Sequence, residues 1–236
     1  MRARTLLACA VTIAAVLPAP RARAFVTPRH GQTFSGGCPS GMARIEGGTF
    51  PAGSTGQTET IAPFCLDRTE VTVDAYGACV RSGHCNDVDM ICGGTGTYGV
   101  PGKEKHPVNC ATWTQMRDYC AAMDKRLPTG AEWEWAARGG PRGYRYPWGD
   151  DEAGFDDTCH GTPSYETCPV GQHAPNVYGL FDLSGNVWEW TESSDSPDYL
   201  WWFGGSYGTG APMANQVHGG DAATWRDPEV GFRCAR

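Results

Sequence analysis

Several things are missing from this sequence, and each absence removes a class of function. The 236-residue chain has no Cys-x-x-Cys pair, the spacing that a zinc ribbon or a thioredoxin-like redox site needs. Its 19 lysines and arginines face 26 acids, a net charge of -7, so no basic face offers itself to nucleic acid. The only long apolar run, residues 6–17, is shorter than the roughly 20 residues that span a bilayer. Internal repeats and low-complexity linkers are absent. No Ser/His/Asp or Cys/His arrangement stands out, and His30, His84, His106, His160 and His173 read as ordinary loop or core histidines.

What is present points outward from the cell. Arg2 and Arg4 precede the apolar run and Ala22-Arg23-Ala24 follows it, the layout of a secretory signal with its cleavage site. The expected organisation is a signal peptide over 1–24, a loose leader over 25–37 and one folded domain over 38–236, exported to the periplasm or the cell exterior. Cys9 falls inside the signal, which leaves ten of the eleven cysteines. An even number in an oxidising compartment is expected to pair. The 32 glycines and 17 prolines mark many turns, and nine tryptophans supply large buried area, so the domain should hold little regular structure.

Local signals place a few elements. Residues 42–50 read as a strand ending at the Gly47-Gly48 turn, and 61–71 as a second extended piece. A helix should follow Thr72, with Val73, Tyr76 and Val80 on one face and a stop at Gly83. A second should open on the capping box Thr112-x-x-Gln115, with Met116, Tyr119, Cys120 and Met123 inward. A third repeats the device with Thr129 and Glu132, buries Trp133, Ala136 and Ala137, and ends at Gly139-Gly140. Pro147-Trp148-Gly149-Asp150 reads as a turn, and the proximity of Cys159 and Cys168 suggests a disulfide. The irregular C-terminal half needs staples, ions or water to satisfy its backbone.

Asp182 and Glu189 lie seven residues apart around the turn at Gly185. Folded back, these carboxylates and the carbonyls of Gly185 and Val187 would form an all-oxygen set of the kind calcium accepts. Spacing alone favours the plainer reading, in which the two acids belong to turn and surface while Trp188 and Trp190 are core.

Residues 126–140, Arg-Leu-Pro-Thr-Gly-Ala-Glu-Trp-Glu-Trp-Ala-Ala-Arg-Gly-Gly, resemble the central signature of the formylglycine-generating enzyme family, also called the sulfatase-modifying-factor domain. So do His106-Pro107-Val108, Tyr146-Pro147-Trp148-Gly149, Gly185-Asn186-Val187-Trp188-Glu189-Trp190, Gly204-Gly205-Ser206-Tyr207 and Gly231-Phe232-Arg233-Cys234, all in the family's order. The resemblance implies an α+β fold, a variant of the C-type-lectin fold with short strands, two or three helices and bound calcium. It also implies calcium at Asp182, Gly185, Val187 and Glu189, reversing the reading from spacing, and a disulfide between Cys120 and Cys234. A further calcium site would fall between 150 and 171, with Asp156 and Asp157 as candidates. Cys38, Cys65, Cys79, Cys85, Cys92 and Cys110 are left with fifteen possible connectivities.

The family's enzymes oxidise a cysteine to formylglycine with oxygen and a copper ion held by two thiolates. The matching positions here are Thr209 and Ala214, and no cysteine lies between Tyr207 and Arg233. Soft copper wants sulfur, and Met213 with His218 would be a poor substitute, so copper is not expected. Ser206, Thr209 and Trp188 are the catalytic candidates if chemistry persists. The expectation is a calcium-stabilised module whose cleft takes a peptide, glycan or protein; the alternative is an oxidase or other modifying enzyme with an altered site.

Overall fold

The computed structural model describes residues 37–152, 158–160, 165–196 and 198–236. The expected signal, most of the leader, and Asp156 and Asp157 lie outside the described residues. No helix among the described residues is long and apolar enough to cross a membrane.

The stretch expected as one strand over 42–50 is two: β1 (Met42–Ile45) and β2 (Gly48–Pro51). Gly47 lies at the break, and only glycine fits there, since a Cβ would sit 2.5 Å from the Ile61 carbonyl oxygen. The extended piece over 61–71 also divides, at Ala62-Pro63, into the end of β3 (Thr58–Ile61) and β4 (Phe64–Asp67). β1 pairs antiparallel with β4, and β2 with β3.

Three α-helices follow, all at the expected caps. α1 (Val73–Arg81) opens on Thr72, α2 (Trp113–Ala122) on the reciprocal Thr112/Gln115 box and α3 (Gly130–Ala137) on the Thr129/Glu132 box. In each box both side chains satisfy backbone N–H groups that the first turn leaves without partners. Met123, expected on the inner face of α2, is its C-cap and 38% exposed; the helix ends one residue before it can turn the side chain inward. Gly139 and Gly140 both adopt left-handed φ at the end of α3.

The remaining regular structure is one sheet. β5 (Trp188–Ser196) pairs antiparallel with β6 (Tyr199–Phe203), which pairs with β7 (His218–Asp221), and β8 (Val230–Gly231) runs parallel to β5 on its other side. α3 packs into one apolar cluster with Ile45, Phe50, Leu66, Trp133, Trp135 and Phe203. α1 and α2 build the other, with Tyr76, Met116, Leu127, Trp190 and Phe232.

Five disulfides staple the irregular parts: Cys38–Cys65, Cys79–Cys85, Cys92–Cys110, Cys120–Cys234 and Cys159–Cys168. Every cysteine among the described residues is paired. Such a framework persists in an oxidising compartment.

Candidate functional site

The segment 182–190 leads into β5 and passes through three left-handed positions, Asp182 at φ 56°, Gly185 at φ 83° and Asn186 at φ 59°. Gly185 must be glycine, since a Cβ there would meet the Cys159 carbonyl oxygen at 2.6 Å. Its N–H donates to the Gly204 carbonyl at 3.0 Å, and Asn186 N–H donates to the Cys159 carbonyl at 2.7 Å. The turn is thereby clamped between the Cys159–Cys168 loop and the Gly204-Gly205 turn.

The turn delivers Glu189 into the interior, 1% exposed, against Arg233, which is wholly buried. Arg233 Nε donates to Glu189 Oε2 and Nη2 to Oε1, both at 2.7 Å, while Trp133 Nε1 also donates to Oε2 at 2.8 Å. The other guanidinium hydrogens go to the carbonyls of Asp67, Arg68 and Phe181. Burial alone would depress the Arg233 pKa, but the charge and hydrogen bonds of Glu189 hold it above its ordinary value.

A third acid joins them that the sequence reading missed. Glu70, 2% exposed, accepts from Asn186 Nδ2 at 3.0 Å through Oε1, and its Oε2 has no partner. Burial, then the charge of Asp182, push its pKa well above the carboxylate range. Asp182 Oδ2 accepts from the Gly171 N–H at 2.6 Å. The structure thus gathers Asp182 and Glu189 around one buried charge cluster, where three carboxylates face one guanidinium. Even with Glu70 held toward its neutral form, Asp182 and Glu189 outnumber the one guanidinium, a balance that suits a cation. No cage of three or more His, Cys, Asp or Glu side chains exists among the described residues, so a cation here would depend on backbone oxygen as well. An acid inside the extended 61–71 stretch was the sequence signal for Glu70.

The second constellation lies at the Gly204-Gly205 turn. Ser206 is wholly buried, and its Oγ donates to Glu229 Oε2 in a short hydrogen bond. Ser206 N–H donates to Thr209 Oγ1 at 2.8 Å, and the two hydroxyl oxygens lie 3.4 Å apart. Trp188 joins through its backbone, donating to the Glu229 carbonyl at 2.8 Å. The three catalytic candidates therefore meet at one residue that no sequence pattern singles out. Glu229 sits two residues before the Gly231-Phe232 motif, and only the β5–β8 pairing places it here.

At the positions that match the copper thiolates, Thr209 is spent as a turn cap for Ser206 and Ala214 offers no donor. Met213 Cγ lies 3.3 Å from where a Gly205 Cβ would stand, beside Thr209. His218 is elsewhere in its contacts: its ring packs tilted against Trp201 and Phe203, centroids 4.3 and 5.4 Å apart, and its Nδ1 faces the Gln216 carbonyl. Among the described residues it makes no hydrogen bond to Ser206, Thr209 or Met213.

The family model for the sulfatase-modifying factor enzyme 1-like domain matches residues 33–236. A formylglycine-generating enzyme of Streptomyces coelicolor is 30% identical, over 79% of this chain and 75% of its own length. The inactive C-alpha-formylglycine-generating enzyme 2 of Bos taurus is 43% identical over a shorter stretch, 40% of this chain and 35% of that protein. Among solved structures, PvdO from Pseudomonas aeruginosa superposes with a TM-score of 0.68 at 21% identity, covering 83% of this chain and 93% of that one. The α+β fold is that of the formylglycine-generating-enzyme-like proteins, with the short strands and few helices expected of a C-type-lectin relative. The chain belongs to the sulfatase-modifying-factor family.

Proposed function

We propose that this protein is an exported, calcium-stabilised member of its family that does not oxidise cysteine and instead binds a peptide, glycan or protein. One observation carries the reading. All ten cysteines of the described residues are locked in disulfides, and the hydroxyl of Thr209 already accepts from Ser206 N–H. Thiolate or thioether sulfur is what selects soft monovalent copper, and a disulfide supplies neither a thiolate nor a reducing equivalent. A relative named as an inactive formylglycine-generating enzyme supports the loss of activity within this family.

Calcium is assigned to Asp182, Gly185, Val187 and Glu189. In support, Asp182 Oδ1 makes no hydrogen bond among the described residues, and Glu189 Oε1 accepts only one, from Arg233. Each oxygen retains a lone pair of the hard type calcium takes. The ion would offset the carboxylate charge that Arg233 alone does not balance and fix the turn on which β5 is hung.

A second reading keeps an enzyme with an altered site, and the Ser206–Glu229 hydrogen bond favours it, because a carboxylate accepting from a hydroxyl is the arrangement of a general base. One experiment decides. Purified protein is expected to show no free thiol, about one or two calcium ions per chain, and no oxygen uptake above a protein-free blank when copper and a thiol or phenol substrate are supplied. Oxygen uptake would overturn the module reading, and uptake abolished by Ser206→Ala would install the second reading in its place.

A further inference from the structure

β7 is the outer strand of the four-stranded sheet. It follows β6 through the pairs Phe203↔His218 to Leu200↔Asp221 without a bulge. That pairing uses alternate N–H and C=O groups of β7, and the others point away from β6. Among the described residues they make no hydrogen bond to another segment. Edge strands are usually blunted by proline, lysine, a bulge or a covering segment. β7 reads His-Gly-Gly-Asp and has none of the first three. The edge is also reachable: Gly219 and Gly220 are half-buried, and the accessible area of a glycine is backbone.

Both glycines are required by rings that β6 sends across them. A Cβ at Gly219 would stand 2.3 Å from Trp202 Nε1, and one at Gly220 would stand 2.7 Å from Tyr199 Cε1. Successive strand residues face opposite sides, so the indole overhangs one face of β7 and the phenol ring the other. Trp202 is half-buried and backed by Trp225, stacked at 5.0 Å. Its Nε1–H makes no hydrogen bond among the described residues, and Tyr199 is 41% exposed. The open ladder is thus flanked by an aromatic ring on each face.

The charge at this edge is of one sign. Asp198 stands beside Tyr199 and is exposed, and Asp221 ends β7. No lysine or arginine occurs from residue 186 to 225, and Arg226 is taken by the Cys110 carbonyl and Gln115 Oε1. We propose that β7 receives an extended, basic segment of a partner protein as the next strand of the sheet. An apolar side chain of that segment packs on the Trp202–Trp225 pair, and a lysine or arginine meets Asp198 and Asp221. Strand addition supplies main-chain partners at the repeat of the open edge, which the scattered hydroxyls of a glycan do not. A second copy of this chain would bring the same acids face to face. The inference rests on the binding-module reading and selects the peptide from its ligand classes. Its failure would leave the thiol, calcium and oxygen measurements as they stand.

Calorimetric titration of the whole protein with acetyl-Lys-Val-Lys-Phe-Lys-Val-Lys-amide tests the site. Two analogues accompany it, one N-methylated at every residue between the terminal lysines and one with glutamate for each lysine. The parent peptide is expected to bind saturably at one site, with each analogue at least about tenfold weaker. It should also slow amide hydrogen exchange within residues 218–221. Asp221→Lys, a charge of the kind that blunts natural edges, should weaken the parent peptide by a similar factor. Should that variant fail to fold, the methylated analogue and the exchange measurement on the unaltered protein still decide. No binding of the parent peptide, equal binding of the methylated analogue, or binding without slowed exchange in β7 would each overturn the inference. So would a dimer whose β7 amides are already protected without peptide.

Discussion

Glu189 carries the balance of the buried charge. Removing one partner of a buried ion pair costs about 3–5 kcal/mol, because the other charge stays in the interior without compensation. Arg233 is bound there by three carbonyls as well as by Glu189, so it cannot follow a lost partner outward. Glu189→Gln keeps the shape and leaves the guanidinium facing a neutral amide. The expected result is a fall of about 3–5 kcal/mol in unfolding free energy by urea titration, most of a typical domain's lower range of stability. A loss below about 1 kcal/mol would mean that Glu70, the acid beside it, ionises and takes over as the counter-charge. Arg233→Lys is not a mild test of the same bond, since a point charge cannot occupy two carboxylate oxygens and three carbonyls at once.

Elements with local causes could be read from the sequence to the residue. Thr112 with Gln115 and Thr129 with Glu132 close their capping boxes inside one helical turn, so nothing distant is needed to find them. The strands β1 to β4 are less legible, because each is only four residues long and β1 finds its partner, β4, beyond the intervening β2–β3 hairpin. Glu229 shows the limit for the site: its role comes from a two-residue parallel pairing of β8 with β5, and no pattern around Asp227-Pro228-Glu229 announces it. His106, taken as an ordinary histidine, turns out to join two irregular segments. Its Nδ1 lies 2.8 Å from Thr167 Oγ1, Val170 N–H donates to the Lys105 carbonyl at 2.9 Å, and Lys103 pairs with Glu166. Burial, then the charge of Lys103, hold the His106 pKa below its ordinary 6.5. The unfolded chain therefore takes up this proton at higher pH than the folded one, so the contribution to stability is complete above pH about 6.5 and is lost as pH falls through the lower folded value. His106→Asn, which can keep the bond to Thr167 without titrating, is expected to flatten the fall in thermal midpoint as pH drops below about 6.5. An unchanged slope would place the acid sensitivity on another group.

At the scale of the molecule, long irregular stretches are joined by covalent ties, and the ties are unequal. Cys120–Cys234 closes 114 residues and anchors α2 to the chain just beyond β8, whereas Cys79–Cys85 closes six within the end of α1 and the turn after it. The C-terminal residues are also woven in by backbone bonds: Ala235 bridges both Leu66 and Arg126, and Arg236 exchanges hydrogen bonds with Cys65 at 2.8 Å. Folding must bring that segment back across the whole domain, and the Cys120–Cys234 bond removes most of the chain entropy that opposes it. On the loop-entropy model the two bonds differ in worth, about 5 kcal/mol for the long loop against about 2 kcal/mol for the short one. Replacing Cys120 and Cys234 together by alanine should therefore lower unfolding free energy clearly more than replacing Cys79 and Cys85. Both pairs are read by the same denaturant titration, with the slope checked because cutting a long loop also expands the unfolded state. If the two double variants lose equal stability, the ordering of this fold rests on its two apolar clusters and its buried charge, with the disulfides serving only local turns. A larger loss for the long tie would show that closing the C-terminal segment, which carries Glu229 and Arg233, is where the covalent ties contribute most to the stability of both constellations.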